Sequence, residues 1–207
     1  TFTGNGELDN GSTFSLSIAH TNKSAYTGSA ISITTPTLGT FTYDEGGGTG
    51  LDRIDDMMPT AWEEVDGTGV AMGLRTVAGA GGNSDIEWNV GMGLPDGMNV
   101  YASFAKEPDG SKNTNKGTSG STVGQATDGY GWDIVLTHSG LVDGLNVFAG
   151  YSEIQQVTSL GDREQELIGA TYAIGGATIG YQYSKDDNPG VTTTSTDYYE
   201  NHAYGVS

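Results

Sequence analysis

The feature that most constrains this 207-residue chain is a repeated alternation of apolar and polar residues at a period of two. In residues 13–18 every second residue is large and apolar, and the residues between them are Ser or Thr. The pattern returns in residues 98–104, 130–137 and 177–184, with Val135 as the one exception in the third stretch. Because alternate side chains of a β-strand point to opposite faces, the pattern predicts strands with one apolar and one polar face.

Tight glycine-ended turns and longer polar connections alternate along the chain. The tight turns are at 9–11, 37–39, 94–97, 141–144 and 175–176. The longer loops are expected near 20–29, 44–83, 106–128, 154–165 and 186–197, which places Asp186 and Asp187 in the last loop. All tight turns then lie at one end of an up-and-down antiparallel sheet and all long loops at the other, which is typical of transmembrane β-barrels.

Composition excludes several classes of protein. The formal net charge of −18, from 26 acids and 8 bases, disfavours binding to nucleic acid or to an anionic membrane face. The 34 glycines first suggest disorder, but 11 tyrosines and recurring aliphatic residues argue against it. Without cysteine there are no disulfides. No apolar run is long enough for a membrane helix, and no signal segment opens the chain. Because the sequence is strand-like at both Thr1 and 204–207, we expect both natural ends to be missing.

Catalytic and cofactor motifs are weak throughout, so the chain is not expected to be an enzyme. A carboxylate pair for glycoside hydrolysis is the main catalytic alternative, but acids are too numerous for any pair to stand out. The sequence has no G-x-S-x-G, H-E-x-x-H or phosphate-loop motif, and "GGGTG" at 46–50 is surrounded by acids that would repel phosphate. The histidines His20, His138 and His202 lie singly at predicted strand ends. A single histidine there is more often an interfacial residue than a metal ligand or a catalytic base.

Three short stretches resemble the general porins of Gram-negative bacteria, especially the alphaproteobacterial branch. "ELDNGSTFSLSIAH" is similar to a turn and strand of that family, and "SAISITTPTLGTFTYDE" is similar to its next hairpin. "PTAWEEVDG" resembles the interior of the family's long third loop. The resemblance implies an outer-membrane β-barrel of 16 strands that assembles as a homotrimer, contacts lipid and lipopolysaccharide, and passes small hydrophilic solutes and ions.

The family's register implies that the chain holds about strands two to twelve, as a partial stretch of one barrel domain. The strands are expected at 1–8, 12–19, 30–36, 40–44, 84–93, 98–105, 129–138, 145–153, 166–174, 177–185 and 198–207. Aromatic residues near the strand ends are expected to form interfacial girdles: Tyr26, Tyr101, Tyr130, Trp132, Tyr151 and Tyr172. The polar loop at 106–128 is read as an external loop that could contact phage or neighbouring surface structures, with an interdomain linker as the alternative.

The resemblance assigns residues 44–83 to a loop that folds into the channel and constricts it. Glycines at 46–48 and 79–82 would let the chain leave and rejoin the wall abruptly. The expected pore-lining residues are Asp44, Glu45, Asp52, Arg53, Asp55, Asp56, Glu63, Glu64, Asp66 and Arg75. A short amphipathic turn would pack against the wall through Leu51, Ile54, Met57, Met58, Trp62 and Val65. Asp52, Asp55 and Asp56 could also offer oxygens to calcium, although their spacing does not match an EF-hand.

Two functional classes remain open. The first is a passive diffusion channel with a modest preference for cations, which follows from eight acids and two arginines in the expected constriction. The second is a secreted or surface-attached soluble β-protein, such as an adhesin or a calcium-dependent surface-layer module. In a channel the large residues face outward, and twelve are expected there: Phe14, Leu16, Ile18, Met98, Val100, Phe104, Trp132, Ile134, Leu136, Ile179, Tyr181 and Tyr183. The inward residues of the early strands are Thr13, Ser15, Ser17, Ser32 and Thr34, none of them basic.

Overall fold

The computed structural model describes residues 1–20, 26–45, 48–59, 77, 79–80, 85–105, 130–155, 162–187 and 198–207. It contains eleven β-strands, which are Phe2–Glu7 (β1), Thr13–His20 (β2), Tyr26–Thr35 (β3), Gly39–Asp44 (β4), Asp85–Val90 (β5), Met98–Ala105 (β6), Gly131–Ser139 (β7), Leu145–Ile154 (β8), Arg163–Ile174 (β9), Ala177–Asp187 (β10) and Tyr198–Val206 (β11). A short 3-10 turn, Gly50–Arg53, lies between β4 and β5. Among these residues no helix is long and apolar enough to cross a membrane.

The strands form one sheet in strict sequence order, and each strand pairs antiparallel with the next. This confirms the predicted all-β, up-and-down antiparallel fold. Among the described residues β1 and β11 are the two edges of the sheet, which is therefore open and consistent with part of a barrel wall. Every tight turn falls at one end of the sheet, because odd-numbered strands lead into turns and even-numbered strands lead into the other connections.

Glycine is required at the tight turns for a steric reason. Gly39 and Gly97 adopt φ of 94° and 82°, a region that L side chains rarely enter. A Cβ at Gly39 would collide with the carbonyl of Asn89, and one at Gly97 would collide with the carbonyl of Ser139. The backbone of the neighbouring strand therefore fixes where these turns can form.

Four expected boundaries between strand and loop are wrong, and one of them is the end of β5, which stops at Val90 rather than at 93. β3 begins at Tyr26, so the loop expected at 20–29 is reduced to residues 21–25. β9 begins at Arg163 rather than at 166. β10 continues to Asp187, so Asp186 and Asp187 lie in a strand and pair with residues of β9. Polar composition suggested loops here, but a strand that presents a polar face can continue through polar residues.

One face of the sheet, called here the outer face, carries the large apolar residues. Cross-strand pairing joins Phe14, Ile33, Phe41, Trp88 and Ala102 into one row on this face. All twelve residues predicted to face outward lie on it, and none of them is buried. Leu16, Ile134 and Ile179 expose 37%, 46% and 48% of their surface. The prediction that these residues do not form a closed interior core is therefore confirmed.

The opposite, inner face is polar over β2–β4. Ser32 and Thr42 hydroxyls are 2.9 Å apart, as are those of Thr34 and Thr40, so neighbouring strands are linked by hydroxyl hydrogen bonds. The five early residues predicted to face inward all lie on this face. These strands thus have the two unlike faces that the alternation predicts.

The aromatic girdle is only partly as expected. Tyr130 stacks on Phe104 with ring centroids 5.8 Å apart, and Tyr151 lies 5.5 Å from Trp132, both pairs on the outer face near the loop end. The prediction that Tyr101 belongs to the girdle is wrong, because its ring lies on the inner face beneath the guanidinium of Arg53. Its neighbours in register, Asn89 and Val135, are also inner-face residues.

Candidate functional site

Part of the 44–83 connection lies against the inner face of the sheet. Its described residues, 48–59, 77 and 79–80, are called here the covering segment. Leu51 and Ile54 are 0% and 1% exposed and pack on β7 and β8. The apolar cluster that they join consists of Leu51, Ile54, Val77, Val135, Phe148 and Leu167, with Met58 and Tyr101 packed against it.

The covering segment explains why Val135 breaks the alternation of β7. This apolar residue lies fully buried beneath the segment. Phe148 of β8 and Leu167 of β9 are the equivalent apolar residues on adjacent strands. Among the described residues, these buried apolar side chains of the inner face lie beneath the segment, which removes them from water.

Wall side chains accept hydrogen bonds from the backbone of the covering segment. Gly50 N–H donates to Glu87 at 2.8 Å, and Leu51 N–H donates to Asp133 Oδ2 at 3.0 Å. On the returning limb, Gly79 N–H donates to Gln165 at 2.7 Å, and Ala80 N–H donates to Asp133 Oδ1 at 2.9 Å. Ala80 N–H also lies 3.2 Å from Ser152 Oγ. Buried backbone donors must find acceptors, and here the wall strands supply them.

Two glycines make the close approach to the wall possible. Gly50 and Gly79 have φ of 52° and 63°, and an added Cβ on either would meet the Asp133 carboxylate. Further along, Met58 and Pro59 occupy the space where a side chain on Gly180 of β10 would lie. At these three positions the absence of a side chain allows the segment and the wall to approach closely.

Arg53 is the one basic residue among the described residues of the segment, and a wall carboxylate neutralises its charge. Its guanidinium pairs with Glu87, which is 4% exposed, and its Cζ lies 4.2 Å from the centre of the Tyr101 ring. Stacking on an aromatic face and pairing with a carboxylate both suit the planar guanidinium. Arg53 therefore anchors the segment to β5 and β6, rather than presenting a free positive charge.

Further polar contacts fix both ends of the 48–59 stretch. Thr49 donates its hydroxyl to Asp85 at 2.8 Å, and Gln182 Nε2 donates to the carbonyl of Asp55 at 2.8 Å. Asp85 is 2% exposed. The stretch is therefore held at β5 on one side and at β10 on the other.

Nine of the ten predicted pore residues, all except Glu45, divide into three groups. Asp52 accepts a hydrogen bond from Gly48 N–H at 2.8 Å, and it lies in the covering segment with Arg53, Asp55 and Asp56. Asp44 is at the end of β4, on the inner face. The remaining acids and cation of the prediction fall outside the described residues, and these are Glu63, Glu64, Asp66 and Arg75. Trp62 and Val65 of the expected amphipathic turn do so as well.

Glu45 and Met57 do not lie where they were expected. Glu45 accepts hydrogen bonds from Ser29 Oγ and Tyr43 Oη, each at 3.1 Å, and both partners are outer-face residues. It therefore does not join the inner-face acids. Met57 is 40% exposed instead of packing on the wall, because the single 3-10 turn ends before it and the helical spacing does not continue.

Four wall residues that were not predicted as site residues hold the segment: Asp85, Glu87, Asp133 and Gln165. Two others that were not predicted, Arg163 and Asp186, are buried on the same inner face. Arg163 and Asp186 form a buried bidentate pair, with nitrogen–oxygen distances of 2.7 and 2.8 Å. The alternation could have shown that these residues face inward. Their contact with residues far away in sequence had no local signal.

Acids dominate the covering segment and the wall beneath it. The described residues of the covering segment and of the inner face from β4 to β10 hold eight carboxylates and two guanidinium groups, a formal net charge of −6: Asp44, Asp52, Asp55, Asp56, Asp85, Glu87, Asp133, Asp186, Arg53 and Arg163. Within the described residues, no group of three or more acids or histidines is arranged to hold a metal ion. Calcium at Asp52, Asp55 and Asp56 stays a prediction.

Comparison with known proteins adds a likeness of fold. No family model matches the sequence, and no curated protein matches it. A solved structure described as "Structure of porin refined at 1.8 angstroms resolution" is similar over 94% of this chain and 69% of that chain, with a TM-score of 0.49 and 12% sequence identity. Function is therefore inferred from the contacts within this chain.

Proposed function

We propose that this chain forms part of the wall of a porin-like channel in a bacterial outer membrane. Small hydrophilic solutes and ions would diffuse through it passively, and no catalytic step is involved. The observation that carries the proposal is the two-faced sheet: large apolar side chains are exposed across the outer face, and a covering segment docks on the polar inner face.

The outer face supports a lipid environment. Exposed apolar residues extend from Phe2 in β1 to Val206 in β11, at 71% and 64% exposure. Soluble monomers rarely leave so broad an apolar surface in water. Strands β6 to β11 have 8 to 12 residues, close to the roughly 9–11 of a tilted membrane strand. The secreted or surface-attached soluble β-protein is disfavoured for the same reason, since it would turn these side chains inward.

The inner face supports an aqueous, constricted lumen. Residues 44–83 would fold into the channel, since the described covering segment lies on the polar face and not beyond the sheet edge. Solutes would pass between this segment and the hydroxyl-lined wall of β2–β4, where Ser32, Thr34 and Thr42 face the same space. Ser and Thr hydroxyls both donate and accept hydrogen bonds, so such a wall can replace part of the water around a passing solute.

The charge of the site supports a modest preference for cations. Its net charge of −6 lies where the passage would be narrowest, and low-dielectric walls strengthen such fields. Salt screens fixed charges over about 10 Å at 0.1 M, so the preference should fade in concentrated salt. The homotrimer, the lipopolysaccharide contacts, the alphaproteobacterial origin and the phage contacts of the outer loops remain part of the proposal through the sequence resemblance alone.

The test is reconstitution of the full-length protein into planar bilayers. Stepwise conductance is expected, with a reversal potential that shows cation preference across a salt gradient at low ionic strength. Replacing Asp52, Asp55 and Asp56 together by Asn should reduce that preference. The matched control replaces Asp9, Asp96 and Asp143 together by Asn, three acids in tight turns away from the segment, and it should leave the preference nearly unchanged. A protein that needs no detergent and gives no conductance steps would refute the channel.

A further inference from the structure

We propose that Asp133 is the positioning residue of the channel: its single carboxylate holds both limbs of the covering segment against the wall and so sets the cross-section left open. The inference rests on the proposed function, because the cross-section matters only if the inner face lines a pore. The contacts themselves do not depend on it.

The geometry singles out Asp133 among the wall acids. Its Oδ2 accepts from Leu51 N–H at 3.0 Å on the outgoing limb, and its Oδ1 accepts from Ala80 N–H at 2.9 Å on the returning limb. Glu87 accepts from the outgoing limb alone, and Gln165 from the returning limb alone. Among the described wall residues, Asp133 is thus the acceptor that joins the two limbs.

The segment is also shaped around this carboxylate. The residues that precede its two donors are Gly50 and Gly79, both in left-handed backbone conformations. A Cβ at either position would meet the Asp133 carboxylate. Asp133 itself is 2% exposed. A buried carboxylate needs several donors to offset its lost hydration, and the two N–H groups of the segment supply them.

Releasing Asp133 should free the segment without unfolding the sheet. The strands pair through their backbones, and Asp133 contributes only its side chain to the segment. Asn in its place keeps the shape, but its amide presents an N–H₂ group to one of the two N–H donors. The Arg53–Glu87 pair and the apolar packing of Leu51 and Ile54 would remain, so the segment should open more often without leaving the wall.

The experiment measures segment release without measuring current. The chain has no cysteine, so an Ile54→Cys variant carries one thiol, at a position that is 1% exposed. Its rate of reaction with a charged methanethiosulfonate reagent is measured in detergent, in the otherwise unchanged chain and with Asp133→Asn added. Asp143→Asn, which removes the same charge from an exposed turn, is the matched control. Far-UV circular dichroism monitors the sheet.

Asp133→Asn should raise the labelling rate about tenfold or more with unchanged circular dichroism, since a lost hydrogen bond to a charged acceptor shifts a local equilibrium by at least that much. Asp143→Asn should stay within about twofold. If Asp133→Asn does not fold, Gly79→Ala decides, because it disturbs the same contact from the segment side and should also accelerate labelling. Rates within about twofold of the unchanged chain in every folded variant of Asp133 and Gly79 would overturn the inference.

The experiments distinguish failure of the proposed clamp, meaning the hold of Asp133 on both limbs of the segment, from failure of the proposed channel. Faster labelling in a protein that never gives conductance steps would leave the clamp in place and reject the channel. Conductance steps with an unchanged labelling rate would support the channel and reject the clamp. If both hold, Asp133→Asn should also increase the single-channel conductance or its fluctuations.

Discussion

The two faces of β2 allow a direct test of whether lipid surrounds this sheet. Leu16 and Ser15 are adjacent, both are exposed, and they lie on opposite faces. Replacing either with Lys adds the same charge at nearly the same depth. In a channel wall only the lysine at Leu16 enters lipid, whereas the lysine at Ser15 remains in water.

The position of Leu16 sets the size of the effect. At about 3.4 Å a residue, it lies about 10 Å from Thr13 and about 14 Å from His20 along the strand. Its partner on one side is Gly4, which has no side chain to shield a charge from lipid. Leu16→Lys should therefore cost close to the midplane value of about 2–4 kcal/mol, or roughly 30- to 900-fold in the folding equilibrium. Ser15→Lys should remain within about 0.5 kcal/mol of the parent.

The assay is reversible unfolding in denaturant from lipid vesicles of one composition, with the folded fraction followed by tryptophan fluorescence and by the heat-modifiable migration of the folded band. The quantity compared is the difference in unfolding free energy between the two lysine variants. Equal destabilisation of both would show that neither face contacts lipid. Greater destabilisation by Ser15→Lys would place a packed interior on the Ser/Thr face and would refute the assignment of inner and outer faces.

Two further perturbations test the inner face. Glu87→Gln should release Arg53 and lower the preference for cations. One unit charge about 10 Å from an ion in water is worth about 0.4 kcal/mol, or about twofold in local cation concentration. The reversal potential measures this change, and a shift no larger than that of Asp143→Asn would contradict the prediction. Arg163→Met should cost about 3–5 kcal/mol in denaturant unfolding, because it removes the guanidinium that donates two hydrogen bonds to the buried Asp186 carboxylate. Replacing both members of that pair by apolar residues should restore most of the loss, and a single variant as stable as the parent would show that the pair is not desolvated.

The sequence by itself determined the strands, their order along the chain and their two faces. These are local properties: a period of two assigns each side chain to a face, and glycines that need left-handed backbone mark the turns. In β2 and β6 the predicted bounds differ from the observed ones by at most one residue at each end. The alternation also marked Val135 as an exception, although it could not give the reason.

The tertiary structure alone decided how the covering segment is held. Leu51 and Ala80 are 82 and 53 residues from Asp133 in sequence, and no periodicity or spacing connects positions so distant. The same limit explains Asp186: a run of polar residues looks like a loop from the sequence, but its pairing with Arg163 is possible only because β9 and β10 bring them side by side. Alternation shows which face a side chain occupies, whereas its partner across that face depends on how the chain folds back on itself.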